Sequence, residues 1–62
     1  MDAEPDYVTV LGRDDHRAMV AIMHYERVRD EWVQKKVSEV MPYRQAVALA
    51  NSWAAALQLE VR

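Results

Sequence analysis

The chain has 62 residues and a mass of 7.2 kDa, with no cysteine, one glycine and two prolines. That leaves room for one small domain and excludes disulfides and cysteine-bound zinc as its supports. Hydrophobic residues at 52% and charged residues at 29% are a globular balance, and the formal net charge of −2 (−4 over residues 1–15, +2 over 16–62) is too small for a broad nucleic-acid footprint.

Residues 1–6 are polar and carry Asp2, Glu4, Pro5 and Asp6, which predicts a flexible acidic leader ahead of a single α+β domain over 7–62. The acidic start differs from the basic start of a signal peptide, and no apolar run approaches the roughly 18 residues that span a bilayer. A cytoplasmic protein without membrane association is expected, in keeping with the absent cysteines. From Tyr7 the residues alternate, Val8 and Val10 on one side and Tyr7, Thr9 and Leu11 on the other, up to Gly12; this is a strand signature. The connector Gly12-Arg13-Asp14-Asp15-His16-Arg17 follows, its glycine and aspartates supplying turn chemistry.

Residues 14–41 admit two readings. Valines at 20, 28, 33, 37 and 40 with Ile22, Tyr25 and Trp32 are a β composition. They predict a hairpin of 18–28 and 31–41 turning at Arg29-Asp30. One face would carry Ala18, Val20, Ile22, Val33, Val37 and Met41. The other would carry Met19, Met23, Tyr25, Trp32 and Val40, interleaved with Arg27 and Lys36. The alternative is one long helix, supported by the lack of glycine or proline over 13–41 and by the Glu31/Lys35 pair. Such a helix would be about 42 Å long in a domain whose radius of gyration should be about 11 Å, so it would need a partner chain.

Pro42 fits the first turn of a helix and holds Met41 extended, so a strand should run into it. Ala46, Leu49, Ala50, Trp53, Ala54 and Leu57 then form one helical stripe. Leu57, Leu59 and Val61 alternate with polar residues as a short closing strand, although no glycine stands at Gln58 to end the helix. The expected fold is therefore α+β, a small antiparallel sheet of β-β-β-α-β order with one helix on one face. The alternative is a mostly α dimer.

The ending Trp32-Val33, Met41-Pro42-Tyr43, Ala46, Leu49-Ala50, Trp53-Ala54, Leu57 and Leu59-Glu60-Val61-Arg62 resembles short uncharacterised bacterial and bacteriophage proteins that close with strand, turn, helix and strand. The resemblance covers about half the chain. It implies a phage or mobile-element origin and a protein that binds and blocks a host protein.

Candidate chemistry is sparse. Asp14, Asp15 and His16, with His24 further on, are the nearest approach to a metal or hydrolytic cluster. Adjacent residues diverge, however, so a solvated turn is the reading, with no metal, cofactor or small-molecule substrate. Ser38 and Ser52 lie in no nucleophile context and read as polar surface. Arg27, Arg29, Lys35 and Lys36 around Tyr25 and Trp32 could hold a single-stranded nucleic acid by stacking and phosphate contacts. Residues 18–23 are apolar on both parities, and one helix cannot cover two faces. A partner-binding surface of Met19, Met23, Tyr25, Arg27, Trp32 and Lys36 is therefore expected on a non-catalytic, self-associating protein-interaction module.

Overall fold

The computed structural model describes residues 4–62. Its elements run β1 (Tyr7–Gly12), β2 (Arg17–Glu26), β3 (Glu31–Val37), β4 (Met41–Pro42), α1 (Tyr43–Leu57) and β5 (Glu60–Val61). The fold is α+β, with one helix packed on a five-stranded sheet, and residues 14–41 form strands and turns rather than a long helix. The sheet order is β3-β2-β1-β5, with β4 pairing the start of β2 beyond the end of β3. β1, β2 and β3 make an antiparallel meander, and β5 returns parallel to β1 after the helix. Residues 1–3 of the expected leader lie outside the described residues.

Local chemistry closes each turn. Between β1 and β2 the Asp14 carboxylate accepts hydrogen bonds from the backbone N–H groups of His16 and Arg17, both 2.9 Å, and from the Arg17 side chain at 2.8 Å. The His16 N–H first and the Arg17 guanidinium after it hold the Asp14 carboxyl below its ordinary value. Asp14 is thus the turn-former, whereas Gly12 ends β1 without a positive φ. The hairpin between β2 and β3 turns over residues 27–30, wider than the expected Arg29-Asp30 pair. Asp30 takes the left-handed conformation there at φ 57°, a role aspartate tolerates better than most residues.

β3 does not run on to Met41 as one strand. It stops at Val37, and Ser38 replaces the missing ladder residue: its N–H donates to the Val20 carbonyl and its Oγ accepts from the Val20 N–H, each at 2.8 Å. Ser38 is therefore a structural residue rather than plain polar surface. Pro42 precedes the first helical residue at φ −55°, one position earlier than expected. At the other end Gln58 takes φ 57°, and the Leu59 N–H reaches the Ala54 carbonyl at 2.9 Å, a Schellman closure achieved without glycine.

The core lies between α1 and the even-numbered side of β1 and β2. Ala46, Ala50 and Ala54 of the helix meet Val8, Ala18, Val20 and Ile22 of the sheet, all buried, with Val10, Met41, Leu49, Trp53 and Leu59 partly buried around them. Spacing the helix alanines four apart makes a smooth ridge on which the backbone can sit close to the strands. The largest fully buried side chains are Val8 and Val20, so the core is thin: the molecule measures 15 Å through its shortest axis. Leu57, expected on the buried stripe, is 52% exposed at the last turn of α1, where it borders an open cleft with Ile22 and Leu59. Replacing Ala50 by leucine should lower the unfolding free energy by about 1–3 kcal/mol in a urea titration, since the three added carbons have no space to enter.

Candidate functional site

The side of the sheet away from α1 is built from the odd-numbered residues of β1 and β2, because successive strand residues point to opposite faces. Register sets them in rows across the strands. Leu11 lies beside Met19, Thr9 beside Ala21 and Val37, Tyr7 beside Met23 and Gln34, and Tyr25 beside Trp32. Three of the aromatic rings form one cluster at the hairpin end. The Trp32 ring stands 5.0 Å from that of Tyr7 and 5.4 Å from that of Tyr25, both edge to face. Leu11, Met19, Met23, Tyr25 and Trp32 are all half-buried, and no element of the described residues lies over them. Ala21, by contrast, is fully covered by its neighbours, while Val37 beside it is 45% exposed.

The structure thus brings Met19, Met23, Tyr25 and Trp32 together as expected, and separates Arg27 and Lys36 from them. Arg27 lies in the hairpin turn. Lys36 lies on the helix side, opposite Ile22, with its ammonium 4.8 Å from the Trp53 ring centre. A β-bulge is the cause. Between Ile22 and Met23 the register slips so that Met23 faces Gln34 while Ile22 faces Lys36, leaving Lys35 as the extra residue. One inserted residue reverses parity beyond it. Lys36 therefore moves to the helix face and Val37, expected in the core, moves to the open face, where it is 45% exposed. Val33 keeps the expected helix side opposite His24, and Val40 falls in the loop after β3.

Tyr7, Thr9 and Leu11 complete the open face and were not among the expected binding residues. Their signal was present in the alternation of β1, which places them opposite Val8 and Val10. The basic-aromatic constellation is divided by the sheet: the rings lie on one side, Lys35 and Lys36 on the other, and Arg29 pairs with Glu31 at 3.5 Å. At the β5 edge the Arg62 guanidinium sits 4.7 Å from the Tyr7 ring centre and pairs with Glu60 at 2.7 Å.

A second feature lies on the helix side. A cleft of about 540 Å³ is lined by Ile22, Leu57 and Leu59 and by Asp6, Lys35 and Lys36. Asp6, expected in the leader, is instead held in place: one carboxylate oxygen meets His24 Nδ1 at 2.8 Å and the other meets Lys35 Nζ at 3.3 Å. The bulge is what turns Lys35 toward it. No group of three or more His, Cys, Asp or Glu side chains among the described residues is placed to hold a metal ion. No helix among them is long and apolar enough to cross a membrane. No family model matches the chain, and no curated protein or solved structure matches it either.

The hydrogen bond to His24 and then the Lys35 contacts hold the Asp6 carboxyl below its ordinary value of 3.8, against the opposing effect of partial burial. A carboxyl lowered on folding stabilises the fold above the unfolded value, and that contribution is lost as pH falls through the lowered one. The urea midpoint should therefore drop below about pH 4. The drop should be shallower in Asp6→Asn, with a residual slope from Asp14; equal slopes in the two proteins would show that the Asp6 contacts do not form.

Proposed function

We propose that this chain is a non-catalytic protein-binding module that docks through the open face of its sheet and masks the surface it covers. One observation carries the reading: side-chain size is distributed the wrong way round for a finished domain. The fully buried core is made of alanines, valines and one isoleucine, with Met41, Leu49 and Trp53 partly buried around it, while Trp32, Tyr7, Tyr25, Met19 and Met23, whose burial stabilises most, stand on the uncovered face. Tryptophan and tyrosine are also the residues that dominate binding energy at protein interfaces, and methionine adapts to irregular ones. The resemblance of the C-terminal half to short bacterial and phage proteins fits a masking role against a host protein.

Single-stranded nucleic acid would need several free cations beside the stacking rings; Lys35 and Lys36 face the other way, and Arg62 beside the Tyr7 ring is paired with Glu60. The His24 and Lys35 side chains both hydrogen-bond to Asp6, which suits anchoring the chain ahead of β1.

A photo-crosslinking residue placed at Met23, on the open face, should give protein adducts in the native host. The same residue at Ala48, exposed on the outer side of α1, should give none. Absence of adducts from position 23, or equal yields from both positions, would overturn the reading.

A further inference from the structure

We infer that the cleft on the helix side of the sheet binds a linear aliphatic carboxylate of medium chain length. Its chain lies on Ile22, Leu57 and Leu59, and its head group meets the Lys36 ammonium. This site stands across the sheet from the open face and does not rest on the reading given above.

Shape comes first. Among the described residues the backbone of α1 comes close to β1, β2, β4 and β5 but not to β3, so the last turn of the helix and β3 stand apart. The cleft of about 540 Å³ borders both, and its size falls within the range of about 300–1,000 Å³ that small-molecule sites occupy. Its apolar lining comes from Ile22, Leu57 and Leu59. Ile22 forms a closed floor at 5% exposure, whereas Leu57 is left uncovered by the fold. All three side chains are aliphatic, and a flexible methylene chain can follow such a surface along an open cleft.

Charge decides the head group. Asp6, Lys35 and Lys36 also line the cleft. The Asp6 carboxylate is engaged at both oxygens, by His24 Nδ1 at 2.8 Å and by Lys35 Nζ at 3.3 Å, which matches Lys35 as well. Lys36 differs. Among the described residues its ammonium pairs with no carboxylate, and its neighbour is the Trp53 ring, 4.8 Å to the centre. An aromatic face attracts an ammonium without neutralising it, so the cleft offers one unmatched positive charge beside apolar surface. The negative end of α1 opposes an anion here. Two of its last carbonyls, on Ala54 and Ala55, are however taken up by the N–H groups of Leu59 and Gln58. The ligand that complements this lining is an aliphatic chain carrying a single negative charge.

Decanoate added to the isotope-labelled chain tests the site, with amide shifts followed by NMR. The amides of Ile22, Lys36, Leu57 and Leu59 should shift, and those of Met19, Met23 and Trp32 on the open face should stay in place. From hexanoate to decanoate, each methylene that enters the cleft should tighten binding about fourfold, the ratio expected for burying one methylene. Lys36→Gln, at an exposed position, should weaken decanoate binding about fivefold, and decylammonium should bind the wild type more weakly than decanoate does. Leu57→Glu should abolish binding; if circular dichroism finds that variant unfolded, Lys36→Gln decides.

An absence of shifts up to about 1 mM decanoate, shifts confined to the open face, equal affinity for decylammonium, or unchanged affinity in Lys36→Gln would each overturn the site. Cleft amides that respond to protein concentration and ignore decanoate would assign the cleft to a second copy and overturn the ligand. Each of these outcomes leaves the crosslinking result at position 23 as it stands, so the two binding surfaces succeed or fail separately.

Discussion

The contact between α1 and the sheet is made through Ala46, Ala50 and Ala54, and the rest of the structure depends on how close those methyl groups let the helix lie. A four-residue spacing aligns them along one line of the helix, which rests over Val8, Ala18, Val20 and Ile22. The short reach of alanine draws the helix down and seals this side with little volume. It also limits what the side can contribute, because burial stabilises in proportion to apolar area. The larger apolar residues stand on the opposite side of the same strands. β2 makes the division sharpest: Ala18, Val20 and Ile22 point to the helix, while Met19, Met23 and Tyr25 point away from it. A sheet has two faces, and the described residues supply one helix.

The sequence displayed this division clearly where parity was uninterrupted. β1 was legible from Tyr7 to Gly12 because its alternation is clean, and α1 because the alanine, leucine and tryptophan stripe repeats at helical spacing. The parity of β2 put Met19, Met23 and Tyr25 on one face, and Trp32 joins them across the hairpin from Tyr25. Choosing strands over a long helix for residues 14–41 rested on valine content and on the size of the domain, and both arguments pointed the right way. What the sequence concealed was the bulge at Lys35. No glycine or proline marks it, and a bulge is a matter of how two strands meet rather than of one segment's own preference. That single irregularity accounts for Lys36 and Val37 exchanging faces. The break at Ser38 was hidden similarly, since a serine that completes a ladder looks like any other serine until its Val20 partner is known. Asp6 was read as leader because its partners, His24 and Lys35, lie 18 and 29 residues away.

These local details shape the candidate site. By turning Lys35 toward Asp6 and Lys36 toward Trp53, the bulge clears the β3 ammonium groups from the open face. The same bulge, with the two lysines, guards the β3 edge against strand pairing. One inserted residue therefore both keeps the β3 lysines off the aromatic face and blunts the edge beside it. The aromatic cluster of Tyr7, Tyr25 and Trp32 is braced by edge-to-face contacts among its own rings. Such a cluster can meet a partner with little further loss of side-chain freedom.

The central claim is that the open face of the sheet, with Tyr7, Met19, Met23, Tyr25 and Trp32, is the surface left for binding. Its most direct test is the binding of an apolar fluorescent dye to the folded chain, with Met23→Lys on the open face compared with Ala48→Lys on the outer side of α1. The account predicts that the wild type and Ala48→Lys bind the dye and that Met23→Lys loses most of that binding. Equal binding by all three folded proteins would contradict it.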